Sequence, residues 1–246
     1  MKICAFYQTF VPIPDSVYKK INRIIVSSFH FNKSCCGGPL LHLNDNIPYH
    51  PKFVSMWKQM ESLYIKYGTE ILINLGGAGG GLVEMFTVNY NKAILMIGKL
   101  VQNFPFIKGV VIDAEYQISL TNINMLISDL NLLELDVYFA PVFSAMLYPS
   151  SPGMGGFCYD KFQKSQALIK GFFVQCYVDD YFTGKTFTEI KSNFSGFQTL
   201  TPGILPGTVP LDELKDRVSA LEDNGCREVY VWELGEAGAI DVINNL

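Results

Sequence analysis

The chain has 246 residues, of which 49% are hydrophobic, and its formal net charge is −4 at pH 7. This length suits one large domain or two small ones, and the apolar content is sufficient for a sizeable core. Because no run of lysine and arginine stands out, the composition argues against a surface for nucleic acid or for anionic membranes. No apolar stretch approaches the roughly 20 residues of a membrane helix. We therefore expect neither a nucleic acid nor a membrane as a partner.

The amino terminus leads directly into a strand-like segment. Its first residues, MKICAFYQ, contain no apolar region of the signal-peptide type and no small-residue cleavage site. We expect either a cytoplasmic protein or a secreted one whose signal has been removed. The cysteines are Cys4, Cys35, Cys36, Cys158, Cys176 and Cys226. Apolar strand-like surroundings of Cys4, Cys176 and Cys226 predict mostly free, buried thiols, and the state of Cys35 and Cys36 stays open.

Strand-like and helix-like segments alternate along the whole chain. The candidate strands are Ile3–Tyr7, Ile24–Phe29, Glu70–Leu75, Gly109–Asp113, Val137–Pro141, Phe172–Tyr177, Phe197–Pro202 and Glu228–Trp232. The candidate helices are Asp15–Ile21, Lys52–Tyr67, Asn89–Asn103, Leu120–Leu133, Asp160–Leu168, Thr186–Asn193, Leu211–Asn224 and Ala237–Asn245. Regular strand–helix units without a linker predict a single-domain (β/α)8 TIM barrel over residues 1–246. The alternative is an open, doubly wound sheet.

Two loops without periodicity are long enough to be binding loops. They are Phe31–Pro51, after the second predicted strand, and Val142–Tyr159, after the fifth. Both leave the carboxyl ends of strands, where barrel enzymes build their sites. All three histidines lie in or beside the first loop with two cysteines, but their spacing is not that of a zinc site. We expect no metal.

The fourth predicted strand, in the segment FIKGVVIDAEYQ, ends with two acidic residues. Val110, Val111 and Ile112 form an apolar run typical of a strand buried on both faces. Because side chains alternate along a strand, Asp113 and Glu115 share a face and lie about 7 Å apart along it. Two neighbouring carboxylates repel each other, which indicates a functional pair. The structural alternative is a strand-end pair satisfied by neighbouring donors.

This segment resembles the fourth-strand motif D-G-x-D-x-D-x-E of glycoside hydrolase family 18, the chitinases and endo-β-N-acetylglucosaminidases. Gly109, Asp113 and Glu115 match the motif, whereas Lys108 and Val111 stand where its first two aspartates belong. Four further stretches are similar to family motifs in the same order, namely AFYQ at 5–8, ILINLGGAGGG at 71–81, FFVQCYVDD at 172–180 and VYVWELGEAG at 229–238. The resemblance is nearest to plant-type class III chitinases.

The resemblance implies a retaining hydrolase that cleaves β-1,4-linked N-acetylglucosamine, with the acetamido oxygen of the substrate as nucleophile. Glu115 would protonate the departing oxygen, Asp113 would stabilise the oxazolinium ion, and Tyr177 would hydrogen-bond the acetamido oxygen. The implied sugar-binding residues are Tyr7, Gln8, Phe29, Gly76, Gly77, Gln175, Asp179 and Trp232. No cofactor is implied, and we expect a monomer that binds N-acetylglucosamine oligosaccharides.

Several of these residues also have structural interpretations. Tyr7, Tyr177 and Trp232 are alternatively core aromatics, and Asp179 alternatively faces solvent. The glycine-rich run at 76–81 fits either a tight turn or close approach of the backbone to a sugar. It lacks the Lys-Ser or Lys-Thr of a phosphate-binding loop.

Two further expectations concern the backbone and the acidic residues at the ends of the second and eighth predicted strands. By resemblance, cis peptide bonds that do not involve proline are expected at Ser28–Phe29 and at Trp232–Glu233. Glu233 and Glu236 follow Trp232, where they either bind substrate or begin a helix, since acidic residues suit helix amino termini.

Val111 is the departure from the family motif with the largest chemical consequence. A valine cannot share a proton with Asp113, and an apolar neighbour should raise the pKa of Asp113 by desolvation. The chain is therefore a hydrolase, with activity attenuated by Val111, or a chitinase-like binding protein without turnover. An unrelated barrel enzyme is the third alternative. Retention of Glu115 favours the hydrolase.

Overall fold

The computed structural model describes residues 1–33, 39–78, 80–165, 167–177 and 183–246. The strands are β1 (Lys2–Tyr7), β2 (Ile21–Lys33), β3 (Pro39–Leu43), β4 (Glu70–Gly76), β5 (Ile107–Asp113), β6 (Asp136–Phe139), β7 (Gly171–Val174), β8 (Thr199–Ile204) and β9 (Glu228–Val231). The α-helices are α1 (Asp15–Tyr18), α2 (Val54–Tyr67), α3 (Gly81–Val88), α4 (Tyr90–Asn103), α5 (Leu120–Leu132), α6 (Phe143–Leu147), α7 (Gly184–Asn193), α8 (Leu211–Asp223) and α9 (Ala239–Asn245). Short 3-10 helices span Pro51–Phe53 and Tyr159–Ser165.

The strands other than β3 close into a parallel barrel. In the order β1, β2, β4, β5, β6, β7, β8 and β9, each strand pairs in parallel with the next, and β9 pairs with β1. The predicted (β/α)8 barrel is confirmed, and all eight predicted strands are present. The open-sheet alternative is wrong, because closure leaves neither β1 nor β9 as an unpaired edge.

The side chains of the barrel strands alternate between two apolar layers. In β1, Ile3 and Ala5 face the surrounding helices, whereas Cys4 and Phe6 face the interior of the barrel. The interior layer also contains Ile25, Leu72, Val111, Tyr138, Ala140, Phe173 and Tyr230. Strands with both faces covered read as nearly continuous apolar runs. This explains why the strands occur in the sequence as continuous apolar runs and not as alternating apolar and polar residues.

Six of the eight predicted helices begin and end within two residues of the predicted positions, and their caps explain why. Helix α1 ends at Tyr18, three residues early, and the predicted helix Asp160–Leu168 is the 3-10 helix Tyr159–Ser165. Helices α3 and α6 were not predicted. Helix α2 ends at Gly68, which adopts the left-handed conformation with φ 68° and accommodates the turn without a side chain. Helix α4 begins after Asn89, whose side chain accepts a hydrogen bond from the backbone N–H of Lys92. No helix in the described part of the chain is long and apolar enough to cross a membrane.

Strand β3 is an addition that the sequence pattern did not predict. It lies within the loop Phe31–Pro51 and pairs antiparallel with the extended end of β2, with Phe31 opposite Leu41. Just after β3, the side chain of Asn44 hydrogen-bonds to Gln8 after β1 and to Ser28 in β2. Of the cysteines, Cys35 and Cys36 lie outside the described residues, and the other four are free thiols.

A partly buried ion network closes the amino-terminal end of the barrel. The guanidinium group of Arg23 donates from Nε to Oε2 of Glu70 at 2.5 Å and from Nη1 to Oε2 of Glu228 at 2.8 Å. Thr201 donates from Oγ1 to the same oxygen of Glu228 at 2.9 Å. The guanidinium carbon also lies 5.1 Å from the ring centroid of Tyr138. These groups fill the end of the barrel opposite to the cavity described next.

Candidate active site

A cavity of about 580 Å³ opens at the carboxyl ends of the barrel strands. Five residues predicted to act on or bind substrate line it: Gln8, Gly77, Asp113, Glu115 and Trp232. The remaining lining consists of Thr9, Ser28, His30, Asn44, Asp45, Lys52 and Ala78. This volume is in the range of small-molecule sites. The closed barrel therefore brings the two acids and the tryptophan, which are distant in sequence, to one opening.

Asp113 is the last residue of β5 and only 4% exposed. Gln175 donates from Nε2 to Oδ1 of Asp113 at 3.2 Å. Burial, and then the nearby charge of Glu115, raises the pKa of Asp113 to about 7. The amides of Asn74 and Gln175 oppose this rise because their dipoles favour the anion. The desolvation expected for a carboxyl group next to an apolar inner neighbour is thus present.

Glu115 lies two residues beyond the end of β5 and is half-buried. Burial raises the pKa of its carboxyl group above the usual value. A raised pKa keeps a carboxyl group protonated closer to neutral pH, which a general acid requires. Within the described ranges, no side chain or backbone group hydrogen-bonds this carboxyl group, so it is free to meet an oxygen of a substrate.

Tyr177 and Trp232 form an aromatic wall beside the two acids. The ring centroids of Tyr177 and Trp232 are 6.2 Å apart, and Trp232 packs on Phe6 at 4.9 Å. The hydroxyl groups of Tyr177 and Tyr230 share a hydrogen bond of 3.0 Å. Burial raises the pKa of Tyr177 well above its usual range, so the phenol stays neutral. Trp232 lines the cavity, and the half-buried Tyr177 packs beside it.

The glycine-rich segment at the end of β4 lies directly beside Asp113, because Gly76 pairs with Asp113 in the neighbouring strand. Gly76 has φ 111°, and a Cβ at this position would lie 2.2 Å from the backbone oxygen of Asp113. Gly77 has φ 92° and donates its N–H to the same oxygen at 2.8 Å. Only glycine fits both conformations. Gly76 therefore allows close packing of two strand ends, and Gly77 exposes backbone to the cavity.

Tyr7 does not line the cavity, and its predicted contact with substrate is corrected. It is the last residue of β1, on the outer face with Ile3 and Ala5, and only 2% of it is exposed. Its hydroxyl donates to the backbone oxygen of Val11 at 2.7 Å. The alternation along β1 determines this result, because Phe6 and not Tyr7 faces the barrel interior.

Phe29 is also absent from the cavity, and the contact predicted for it is corrected. In the pairing of β2 with β4, Val26 pairs with Ile73, and the next pair is Phe29 with Leu75. Strand β2 therefore has one residue more than β4 between these two pairs, which is a β-bulge. Such a bulge reverses the faces to which the following side chains point. Ser28 consequently lines the cavity, and Phe29 is fully buried against the helices.

Two cis peptide bonds lie at the cavity. One is Trp232–Glu233, as predicted, and the other is Ser27–Ser28, one residue before the predicted position. Asp179, a predicted sugar-binding residue, lies outside the described residues.

Glu233 accepts hydrogen bonds from the protein itself and does not line the cavity. It is 5% exposed, and its Oε2 accepts hydrogen bonds from the backbone N–H groups of Gln8 at 2.6 Å and Thr9 at 3.0 Å. Its Oε1 accepts a hydrogen bond from Oγ1 of Thr9. Because these bonds occupy its carboxylate, Glu233 is not available to bind substrate. It does not begin a helix either, since α9 begins only at Ala239. Glu233 instead joins the ends of β9 and β1.

The segment after β3 contributes three cavity-lining residues, Asn44, Asp45 and Lys52, which the sequence analysis did not identify. Asn44 donates from Nδ2 to the backbone oxygen of Gln8 at 3.1 Å and accepts the N–H of Ser28 on Oδ1 at 3.1 Å. Asp45 and Lys52 line the cavity beside it. The sequence identified the loop Phe31–Pro51, which contains Asn44 and Asp45, as a binding loop, but no motif marked the individual side chains. Lys52 lies just after this loop, at the start of the predicted helix Lys52–Tyr67. Among the described residues, no group of three or more His, Cys, Asp or Glu is arranged to hold a metal ion.

Comparison with known proteins gives matches among solved structures, whereas no protein-family model and no curated protein matches the chain. A fungal endo-β-N-acetylglucosaminidase from glycosyl hydrolase family 18 superposes with a TM-score of 0.81 at 23% identity, covering 99% of this chain and 95% of that one. The chitinase ChiC from Aspergillus fumigatus gives a TM-score of 0.78 at 22% identity, covering 96% and 92%. The chain has the family 18 fold.

A third neighbour with the family 18 fold is a chitinase from Cycas revoluta, solved in complex with (GlcNAc)4. It has a TM-score of 0.64 at 12% identity, with 100% of this chain and 98% of that one covered. The resemblance predicted from the motifs is confirmed in the fold. In this chain the fold presents a half-buried acid, a buried carboxyl group and an indole ring to one cavity. That combination suits binding and cleavage of a neutral sugar.

Proposed function

We propose that the chain is a retaining glycoside hydrolase of the chitinase type, which cleaves β-1,4-linked N-acetylglucosamine in chitin or chitooligosaccharides. The observation that carries the proposal is that Asp113, Glu115 and Trp232 meet at one open cavity at the carboxyl end of the barrel. The named activities of the structural neighbours, chitinase and endo-β-N-acetylglucosaminidase, support the substrate class.

Glu115 acts first as the general acid in the proposed reaction. It gives its proton to the glycosidic oxygen while the acetamido oxygen of the sugar on the other side attacks the anomeric carbon. The bond from the anomeric carbon to the departing oxygen breaks, and a cationic oxazolinium ion forms. The Glu115 carboxylate then takes a proton from water, which attacks the same carbon and restores the acetamido group with net retention.

Asp113 supplies the negative charge that stabilises the oxazolinium ion. Because the carboxyl group is 4% exposed, its interaction with a nearby cation is much stronger than in bulk water. The developing positive charge lowers the pKa of Asp113 during the reaction and favours the anion. Gln175, which donates to Oδ1, fixes the orientation of the carboxyl group throughout.

Trp232 and Tyr177 bind the sugar on the side of the acetamido group. The indole ring presents an apolar face to the sugar ring, and its position on Phe6 fixes that face. Tyr177 is a neutral phenol whose hydroxyl exchanges its bond with Tyr230 for one to the acetamido oxygen.

The second candidate function is carbohydrate binding without turnover. It is favoured by the buried Val111, which lies in the interior layer and offers no partner for the proton of Asp113. A cleft with Trp232 and a neutral Asp113 would still bind oligosaccharide.

The test is incubation of the protein with chitotetraose and with a chromogenic chitobioside, followed by product analysis and by calorimetric titration. Shorter oligosaccharides with retained β configuration are the expected products. Binding of chitotetraose without products would show the binding protein, and neither binding nor products would refute the family 18 activity.

A further inference from the structure

An unpartnered amide lies in the interior of the barrel beneath the cavity. Asn74 is fully buried, and neither its Nδ2 nor its Oδ1 has a hydrogen-bond partner among the described residues. A buried amide without a partner lowers the stability of the folded protein, so such groups are rare and require an explanation.

The position of Asn74 supplies that explanation. In the β4–β5 pairing, Asn74 lies directly opposite Val111, and paired side chains of parallel strands point to the same face. Both residues therefore lie one step inward of Asp113. The amide is close enough to lower the pKa of Asp113, although it does not complete a hydrogen bond of ordinary geometry in this conformation. Val111, fully buried at the same level, has no polar atom to offer.

We propose that Asn74 is a positioning residue for Asp113 and makes the hydrogen bond that the valine at position 111 cannot make. This role rests on the proposed hydrolase function. When Asp113 ionises, rotation of the Asn74 side chain brings Nδ2 onto the carboxylate, so that Asn74 and Gln175 hold it from two sides. Because an amide does not take up a proton, the proton of Asp113 leaves through the cavity and is not stored at position 111.

The groups that face Asp113 allow this bond to be measured. They are the carboxyl group of Glu115 and the phenols of Tyr159, Tyr177 and Tyr230. Burial raises the pKa of all three phenols above their usual range, so they stay neutral when Asp113 titrates. Burial also raises the pKa of Glu115, but Glu115 is present in every variant below, so its contribution cancels when two variants are compared.

The experiment compares wild type with Asn74→Leu, which has a similar volume and no amide. The melting temperatures of wild type and of Asn74→Leu are measured from pH 5 to 9, each with and without the additional substitution Asp113→Asn. For each background, the difference between the two curves reports the titration of Asp113. Loss of the hydrogen bond to the anion should move this titration upward by about one pH unit in Asn74→Leu. Ser27→Ala, which removes another buried polar group at the same level, should leave the titration unchanged.

Turnover gives a second readout. In Asn74→Leu, kcat for chitotetraose should fall by about fivefold at neutral pH, with KM changed less than twofold. A rise of one unit from a pKa of about 7 lowers the anionic fraction of Asp113 at pH 7 from about one half to about one tenth. The double variant Asn74→Leu with Val111→Asp should recover kcat, because a carboxyl group returns at the level of the amide. A purely structural role would give neither the shifted titration nor this rescue.

An unshifted titration in Asn74→Leu would overturn the inference even if chitotetraose is hydrolysed. If the titration shifts but wild type does not hydrolyse chitotetraose, Asn74 is confirmed as a partner of Asp113 and the hydrolase function is refuted. Should Asn74→Leu fail to fold, Asn74→Ala is used for the same titration, with the same upward shift expected and the same contradiction if it is absent.

Discussion

The two carboxyl groups at the end of β5 differ in burial, and this difference separates their roles. Asp113 is 4% exposed and hydrogen-bonded by Gln175, whereas Glu115 is half-buried and open to the cavity. Asp113 consequently holds its proton more strongly than a solvated aspartate, with a pKa of about 7. Pairs of acids in unlike environments are the usual basis for assigning one as proton donor and the other as anion. We therefore propose the accessible acid, Glu115, as the donor.

Replacement of Glu115 by glutamine tests the proton donor. Glutamine keeps the size and hydrogen bonding of the side chain but cannot protonate the departing oxygen. We expect hydrolysis of chitotetraose to fall by about 10²–10⁴-fold and the dissociation constant of the oligosaccharide to change little. Initial rates and calorimetric titration measure the two quantities. Hydrolysis at the wild-type rate would show that another group is the acid.

The buried carboxyl group of Asp113 predicts a pH-dependent loss of stability. Its pKa is raised from 3.8 to about 7 in the folded protein, so the folded state holds this proton more tightly than the unfolded state. The resulting stabilisation is complete below pH 4 and is lost as the pH rises through 7. Asp113→Asn, which cannot ionise, should match wild type near pH 4.

At pH 8, Asp113→Asn should be more stable than wild type by about 2–4 kcal/mol. Melting temperatures of the two proteins between pH 4 and 8 provide the measurement. A difference that is the same at both ends of this range would contradict the raised pKa.

Introduction of an acid at Val111 tests whether the site is attenuated. Val111→Asp restores the aspartate of the family motif one step inward of Asp113, where the two can share a proton. We expect kcat for chitotetraose to rise, while burial of the new acid lowers stability by several kcal/mol unless it finds partners. Rates and melting temperatures of both proteins are compared. A folded Val111→Asp protein without a gain in rate would favour the binding protein.

At the scale of elements, hydrogen bonds join the ends of three strands around one side of the cavity. Glu233, just after β9, accepts both backbone N–H groups of the Gln8–Thr9 segment after β1. Gln8 accepts from Asn44, which also holds Ser28 of β2. This chain of bonds runs along the seam at which the barrel closes. It fixes the backbone of three cavity-lining residues, so the shape of the cavity depends on a carboxylate that does not contact substrate.

Loss of the Glu233 carboxylate should therefore affect both stability and substrate binding. Glu233→Gln presents an N–H group to donors that need an acceptor, and we expect it to lower the free energy of unfolding by about 2–4 kcal/mol. The KM for chitotetraose should rise more than kcat falls, because the wall moves while the acids do not. Denaturant unfolding and steady-state kinetics are the measurements.

Glu236→Gln is the matched control for Glu233→Gln. Glu236 lies three residues later in the same segment and is exposed, so its replacement should change stability by less than about 0.5 kcal/mol. Equal effects of the two substitutions would refute the role of Glu233.

At the scale of the whole molecule, the two ends of the barrel have separate tasks. The carboxyl end holds the cavity, and the amino end holds the Arg23 network with Glu70 and Glu228. The apolar interior layer lies between them. Barrel enzymes in general place their sites at the carboxyl end, whereas the opposite end contributes stability.

Arg23→Met should lower stability without lowering kcat. The change leaves Glu228, which is 8% exposed, without its charged partner. Breaking a buried pair in this way lowers the free energy of unfolding by about 3–5 kcal/mol. The kcat for chitotetraose, measured below the melting temperature, should remain within twofold of wild type.

Lys66→Met provides the comparison on the surface. Lys66 pairs with Asp15 at 3.3 Å, and both side chains are exposed. Because water screens an exposed pair, its loss should lower stability much less than the loss of Arg23. A similar loss in both variants, or a collapse of kcat in folded Arg23→Met, would contradict the separation of the two ends.

The sequence by itself determined the alternation of strands and helices, the barrel, and the acid pair at the end of the fourth predicted strand. Each depends on residues close to one another in the chain, such as the apolar run before Asp113 or the glycine that ends α2. It did not show that Tyr7 faces the helices, because a continuous apolar run does not reveal which alternate residues face inward. It also did not show the bulge that turns Phe29 away, because a bulge is defined only against the neighbouring strand.

The tertiary structure decided what surrounds each side chain of the site. Gln175 reaches Asp113 across a separation of 62 residues, and Glu233 reaches Gln8 across 225. The burial that raises the pKa of Asp113 arises only when β4, β5 and β7 pack around one interior. The amide of Asn74 becomes buried without a partner for the same reason. A local pattern encodes the hydrogen bonds and apolar faces of single elements. The free energy of a charge or an amide depends on distant groups that closure of the barrel brings within a few ångströms.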